Sequence, residues 1–221
     1  NKISIGEDKA KLAFKPFATA ISSSGLLPSA KGNKYSDKNL NSCLYDTNNN
    51  SHDQEMRKAK KSVCKLIELC YSFVEENYSP IFSRERYFIL SNRGTYAFIN
   101  IIGSLNSYIT EKGLINKKSK PKERFEEMQK YFVALLDGIN NLKKQREENL
   151  LNLIGAGADI KWLRFFQELI NEKFTDYNPI ELIEWKERHD SNLQDEGRKY
   201  GISIEKFMKT RFCHSDNKQK K

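Results

Sequence analysis

The side chains of this sequence that could do chemistry together are its lysines and arginines. The 221 residues include 38 Lys and Arg against 29 Asp and Glu, a formal net charge of +9. Such an excess favours an anionic partner. Three basic groups stand out, at the start of a long helix, in a connector and around a central turn. Their members are Arg57, Lys58, Lys60, Lys61 and Lys65; Lys117, Lys118, Lys120 and Lys122; and Arg84, Arg86 and Arg93.

These clusters have two interpretations. Phosphate backbones bind basic clusters because every neutralised phosphate releases counterions, and arginine adds bidentate contacts to phosphate or carboxylate. A solvated helix face can be equally rich in lysine, and acids such as Glu123, Glu126 and Glu127 dilute the positive field. The pattern therefore predicts contact with DNA or RNA at these residues, with plain solubility as the alternative.

Residue types that ligate metals or act as nucleophiles are few and are not spaced as ligands. The sequence holds three histidines and four cysteines, namely His52, His189, His214, Cys43, Cys64, Cys70 and Cys213. No CxxC pair occurs, and no histidine shares a helix face with a second ligand. We expect no metal and no cofactor, and reduced thiols in a cytoplasmic protein.

Two short stretches partly match known binding or catalytic motifs. The run Gly155-Ala156-Gly157-Ala158 lacks the preceding strand and the third glycine of a dinucleotide loop, so it is interpreted as a helix stop. Arg188-His189-Asp190 lies in a polar stretch and is interpreted as a solvated face. No GxSxG or HExxH pattern is present. The sequence predicts a non-catalytic domain; a hydrolase or nuclease completed by residues outside this chain is the remaining enzymatic alternative.

The elements that must position these residues are helices, because apolar residues recur at helical spacing and alternating strand patterns are nearly missing. We predict an all-α fold, an irregular bundle of six to seven helices with at most a minor short β element. The clearest stripe runs from Val63 to Val74 in a helix that Asp53 would cap. Further stripes lie within Glu7–Ile21, Phe98–Ile109, Phe125–Leu142, Trp162–Ile170 and Ile204–Phe212.

Particular residues set the expected element boundaries. Pro121 suits the first turn of a helix, and that helix could run on to Ile154. Residues 80–90 predict a loop with one short extended piece, and Asn92-Arg93-Gly94 is typical of a turn. Asp159 would cap the helix that follows.

One helical domain over residues 1–221 is expected, as a fragment of a longer protein because the chain opens at Asn1 without Met. Residues 22–51 are rich in Ser, Gly, Asn and Lys, which predicts a flexible polar loop that buries little. Residues 215–221 form a basic tail. No apolar run approaches the roughly 18–20 residues that cross a bilayer, so no membrane is expected.

Four stretches of the chain resemble the C-terminal helical portion of the DGQHR-domain proteins, the group that includes DndB-type proteins linked to DNA phosphorothioate modification. These stretches are Ile81-Phe82, Leu90–Ile99, Gly155–Phe166 and Asn178–Trp185. The namesake Asp-Gly-Gln-His-Arg string is absent, which fits an N-terminally trimmed fragment. The resemblance implies association with DNA-modification or defence genes and a ParB-like N-terminal domain outside this chain. It assigns no catalytic residue here.

Together these observations predict a non-catalytic helical domain of a DNA-associated bacterial or mobile-element protein, which binds nucleic acid or orients a partner. The alternative is a protein–protein interaction or oligomerisation module that binds no nucleic acid.

Overall fold

Seven helices and one minimal β pairing make up the described part of the chain, which confirms the predicted all-α class. The structure is a computed structural model that describes residues 14–28, 30–31, 34–35, 43–46, 51–83, 89–153 and 157–175. The helices are α1 (Phe14–Ser23), α2 (His52–Asn77), α3 (Ser79–Ser83), α4 (Asn92–Glu111), α5 (Pro121–Asn140), α6 (Lys144–Leu151) and α7 (Ala158–Asn171). Strands β1 (Ala30–Lys31) and β2 (Lys34–Tyr35) pair antiparallel, with Ala30 opposite Tyr35.

Helix α4 is the centre of the fold. Every residue from Gly94 to Ile109 is buried, and α1, α2, α5 and α7 pack around it. Helix α1 approaches α4 closely at Gly103, where an added Cβ would lie 1.8 Å from the carbonyl oxygen of Ser24. The hydroxyl of Ser23 donates to Oδ1 of the buried Asn100 at 3.0 Å, so the contact is also polar.

Helix α2 is amphipathic, as its stripe predicts. Its buried residues Ala59, Val63, Leu66, Ile67, Cys70, Tyr71 and Val74 recur at helical spacing. At its C-terminal half the ring of Phe73 meets that of Phe125 on α5, with centroids 5.6 Å apart. In the N-terminal half, the polar face opposite the buried stripe is exposed.

One polar contact ties α2, α5 and the end of α7 together. The hydroxyl of Tyr78 donates to Oδ1 of Asp137 at 2.9 Å, and the ammonium of Lys173 donates to Oδ2 at 3.0 Å. The bonds from Lys173 and then from Tyr78 lower the pKa of Asp137. Burial and the bonded carboxylate raise the pKa of Tyr78 to about 12.

Several predicted boundaries are wrong at the N-terminal ends of helices. Ser51, not Asp53, is the N-cap of α2, and Asp53 lies in the first turn. Residues Asn92-Arg93-Gly94 are the first turn of α4 rather than a separate turn, because the Oγ of Ser91 accepts the N–H of Gly94 at 3.0 Å. Helix α7 begins after Gly157, whose φ of 86° is left-handed, so Asp159 is not its cap.

Two further predictions along the chain fail. Residues 79–83 form the short helix α3 where a loop was expected. Helix α5 ends at Asn140 instead of running on to Ile154, and α6 starts anew at Lys144. The prediction that Pro121 opens a helix is confirmed, since Pro121 is the first residue of α5.

The segment 22–51 buries more than its composition suggests. Among its described residues, Ser24, Leu26, Cys43 and Tyr45 are all buried, so the expectation that it buries little is wrong at these positions. Leu26 and Leu44 are also joined by a backbone hydrogen bond of 3.0 Å. Cys43 and Tyr45 also pack with Ala59 of α2, so this part of the segment lies against that helix.

All described residues belong to one compact unit, within residues 1–178. The predicted basic tail at 215–221 and the predicted stripe near Phe207 lie outside the described residues, and the single domain over 1–221 stays a prediction. Within the described ranges, no helix combines the length and the apolar character that crossing a membrane requires.

Candidate nucleic-acid interface

The first half of α2 carries five basic residues on its solvent side. Arg57, Lys58, Lys60, Lys61 and Lys65 are all exposed, and they occupy about half of the helix circumference. Arg57, Lys61 and Lys65 follow one another at four-residue spacing, so each step rises about 6 Å along one face. The structure therefore brings together the residues that the sequence grouped here.

Acidic neighbours pair with two of these five. Lys58 lies 3.8 Å from Glu55, and Lys65 lies 3.0 Å from Glu68. Both are exposed i,i+3 pairs, which stabilise a helix only slightly. Arg57, Lys60 and Lys61 have no acidic partner within 4.0 Å among the described residues, so these three cations are available to an anion.

The connector between α4 and α5 is a loop held by its own hydrogen bonds. Gly113 takes a left-handed φ of 70°, and the side chain of Ile115 is buried. Within the loop, the N–H of Asn116 donates to the Oγ of Ser119 at 3.1 Å, and the N–H of Lys118 donates to Oδ1 of Asn116 at 2.8 Å. The lysine side chains of this loop consequently project from a defined backbone.

Four connector lysines were predicted to contact phosphate, and all four are exposed: Lys117, Lys118, Lys120 and Lys122. Lys122 lies in α5 and pairs with Glu126 at 3.8 Å. The other three have no acidic partner within 4.0 Å in the described part of the chain. The connector thus adds three available cations to the three on α2.

Sequence reasoning missed Arg124, the residue that holds this connector. Its side chain is 1% exposed and donates three hydrogen bonds, from Nη1 to Oδ1 of Asn106 at 2.7 Å, from Nη2 to the carbonyl of Asn116 at 2.7 Å and from Nε to the carbonyl of Ser119 at 2.9 Å. Burial lowers the pKa of Arg124 to about 10, so the guanidinium stays charged at neutral pH. The available signal was its place on the apolar stripe of α5, four residues before Met128.

The buried side chain of Cys43 lies near both basic elements. Cys43 packs in a small cluster with Tyr45 and with Ala59 of α2. Burial raises the pKa of its thiol, and the nearby positive charges of Lys117 and Arg124 partly oppose that rise. Cys43 packs against α2, and the influence of Lys117 and Arg124 on its thiol indicates that the basic half of α2 and the connector lie near each other. We call their nine exposed residues the basic surface: Arg57, Lys58, Lys60, Lys61, Lys65, Lys117, Lys118, Lys120 and Lys122.

Arg93, the one member of the predicted arginine group that the structure describes, is not part of this surface. Arg84 and Arg86 lie outside the described residues. Arg93 is in the first turn of α4, and its Nε lies 3.7 Å from Oδ1 of Asp159 on α7. Because α4 spans 20 residues, roughly 30 Å separates Arg93 from the connector at the other end of that helix.

The chemistry of the described cysteines and histidine is limited. Cys43 and Cys70 are buried and Cys64 is exposed, all three as free thiols. The hydroxyl of Tyr45 contacts Nδ1 of His52. Across the described ranges, no three His, Cys, Asp or Glu side chains converge as metal ligands would. Cys213, His189 and His214 fall outside those ranges.

The chain was compared with protein-family models, with curated proteins and with solved structures. No family model matches, and neither search found a significant match. The resemblance to DGQHR-domain proteins stays a prediction.

Proposed function

We propose that this chain is a non-catalytic helical domain that binds the phosphate backbone of nucleic acid, DNA in the first place, through the basic surface. One observation carries the proposal: two groups of lysine and arginine, more than 50 residues apart in sequence, both lie near Cys43. Six of the nine side chains have no acidic partner among the described residues, so their charge is free to act on an anion.

The spacing of the cations suits a regular row of phosphates. Arg57 and Lys61 are separated by a rise of about 6 Å along α2, which is roughly two nucleotide steps of one strand. The connector adds a second group of exposed cations, Lys117, Lys118 and Lys120. Contacts of this kind position a protein on the backbone and do not read base sequence.

Two other features support a DNA-associated role in the cytoplasm. The resemblance to DGQHR-domain proteins implies DNA-modification or defence genes and favours DNA over RNA as the partner. The three described thiols are free, which is typical of a reducing compartment.

The decisive measurement is binding of a fluorescently labelled duplex of about 20 base pairs, followed by anisotropy between 50 and 200 mM salt. The test variant is the triple substitution Arg57→Glu, Lys60→Glu and Lys61→Glu, which changes only cations that form no ion pair with a described residue. Its affinity should fall for every duplex sequence alike, and the slope of log affinity against log salt should shrink by about 0.9 for each lost phosphate contact.

A matched control makes the same change in net charge elsewhere, with Lys143→Glu, Lys144→Glu and Arg164→Glu on the α6 and α7 side. All three control residues are exposed, so neither triple variant should lose much thermal stability. If both triples weaken binding equally, the effect is one of net charge alone. If the test triple binds as tightly as the unaltered protein, the basic surface serves solubility, and a protein partner or self-association replaces nucleic acid as the proposed function.

A further inference from the structure

Arg93, which the basic surface does not include, lines a separate cavity at the start of α4. The cavity has a volume of about 520 Å³ and is formed where α1, α4, α6 and α7 meet. This volume lies within the range of small-molecule sites. Its position, roughly 30 Å along α4 from the connector, makes it independent of the basic surface.

The floor of the cavity is apolar and rigid. Pro16, Tyr96, Leu151 and Trp162 line it, and Tyr96 and Trp162 are almost completely buried. The indole Nε1 of Trp162 donates to the carbonyl of Leu150 at 3.0 Å, which fixes the ring. Such a floor accepts the flat apolar part of a ligand.

The rim of the cavity is cationic. Lys15 is exposed, and Arg93 has a side chain 34% exposed. The one acid on the rim, Asp159, lies 3.7 Å from Nε of Arg93, which is longer than a hydrogen bond. Within the described residues the two Nη groups of Arg93 have no hydrogen-bond partner. A guanidinium with both Nη groups free can hold a carboxylate or a phosphate in bidentate fashion.

We propose that this cavity binds a small organic oxyanion, with its carboxylate or phosphate on Arg93 and Lys15 and its apolar body on Tyr96 and Trp162. Asp159 then acts as an intramolecular competitor, because its carboxylate draws on the same guanidinium. The arrangement gives opposite expectations for two neighbouring residues: loss of Arg93 weakens the ligand, and loss of the Asp159 charge tightens it.

The test is titration with phenyl phosphate and with benzoate, which carry the two oxyanions on the same ring, and with benzyl alcohol as the uncharged probe. The side-chain signal of Trp162 in ¹⁵N-correlated NMR spectra reports on the cavity floor. The sequence has two tryptophans, so a Trp185→Phe variant assigns that signal. A saturable shift with one or both oxyanions supports the proposal and identifies the preferred group, whereas equal binding of benzyl alcohol overturns it.

Two variants and a control complete the experiment. Arg93→Gln should weaken the oxyanion by at least about tenfold, since a charge-assisted pair is lost. Asp159→Asn should tighten it by a few fold. The control Arg164→Gln removes an exposed arginine of α7 that does not line the cavity, and it should change nothing. Absence of any saturable shift in the folded protein, or weaker binding in Asp159→Asn, would overturn the assignment whatever the outcome at the basic surface.

Discussion

Nη1 of Arg124 donates to Oδ1 of Asn106 at 2.7 Å, and this bond joins the start of α5 to the buried central helix. The remaining two hydrogen bonds of the guanidinium go to backbone carbonyls of the connector. All three acceptors are uncharged, so a buried positive charge is satisfied by dipoles alone. Arg124 thus links the connector to the buried central helix.

Removing this side chain should be costly for stability. In Arg124→Met the amide of Asn106 and the carbonyls of Asn116 and Ser119 lose their donor, and hydrogen bonds to a charged group contribute about 1.5–3 kcal/mol each. We expect the free energy of unfolding, measured with urea, to fall by about 3 kcal/mol or more. The exposed Arg164→Met should stay within about 0.5 kcal/mol of the unaltered protein. Similar values for the two variants would contradict the assigned role.

A substitution that keeps the positive charge of residue 124 separates the effect of its hydrogen-bond geometry from the effect of its charge. Arg124→Lys keeps the positive charge but cannot serve three acceptors in a fork. Hydrogen exchange of the connector amides of Asn116, Lys118 and Ser119 should accelerate while the amides of α2 stay protected.

The Arg124→Lys variant also tests whether the connector contributes to DNA binding. If Lys117, Lys118 and Lys120 contact phosphates, the salt slope of Arg124→Lys should drop by at most about 0.9 per lysine released. Arg164→Lys is the control. A loosened connector with an unchanged slope would remove the connector from the interface and leave α2 as the binding element.

Gly103 should be the least replaceable glycine of the described helices. A Cβ there meets the backbone oxygen of Ser24 at 1.8 Å, so α1 must move away from α4. At Gly138, by contrast, the Cβ meets the side chain of Leu169 at 2.9 Å, and that side chain can adjust. Thermal and urea unfolding should show a loss of about 2 kcal/mol or more for Gly103→Ala and a small change for Gly138→Ala. Equal losses would mean that the close approach of α1 contributes little to stability.

Protonation of Asp137 in acid should lower the free energy of unfolding. Its pKa is lowered in the folded state, chiefly by Lys173, so its contribution is complete above the unfolded value of about 3.9. That contribution is lost as the pH falls through the lower, folded value. Asp137→Asn should therefore reduce stability near neutral pH and flatten its dependence on pH below about 4. Urea unfolding at a series of pH values measures both, and an unchanged acid limb would contradict the coupling.

The hydroxyl of Tyr78 gives the alkaline counterpart. Its pKa is raised to about 12, so its contribution is present below the unfolded value of about 10 and is lost as the pH rises towards the folded one. Tyr78→Phe removes the hydroxyl and keeps the ring. In urea unfolding at a series of alkaline pH values, the free energy of unfolding of Tyr78→Phe should fall less steeply than that of the unaltered protein. An identical fall would contradict the role of the Tyr78 hydroxyl.

Sequence patterns predicted the helices wherever a buried stripe is long. The stripe of α2 and the proline that opens α5 needed no knowledge of the fold, because spacing and backbone geometry are local properties. The start of α4 was missed because Asn92-Arg93-Gly94 fits a turn as well as a first helical turn, and only the bond to Ser91 decides between them. The break after Asn140 has neither Gly nor Pro to mark it.

The residues of the candidate interface could be predicted from the sequence, but their proximity in the fold could not. Charge density alone indicates the lysines of α2 and of the connector. Their proximity is seen at Cys43, which packs on α2 from a segment whose composition predicts little burial. Arg124 could have been noticed as a cation on an apolar stripe, yet two of its acceptors are backbone carbonyls, which no side-chain pattern reveals. Arg93 lies at the opposite end of α4 from the connector lysines, a separation that its sequence position alone does not reveal.

The burial of α4 on every side also sets an order of events during synthesis. Helix α7, which covers one flank of α4, leaves the ribosome only after α5 and α6 have been made. At ordinary rates of translation this delay is roughly several seconds, during which apolar surface of α4 is uncovered. A nascent chain therefore exposes apolar surface of the kind that chaperones bind until α7 is made, and a chain ending at Asn140 should aggregate more readily than one that continues through α7.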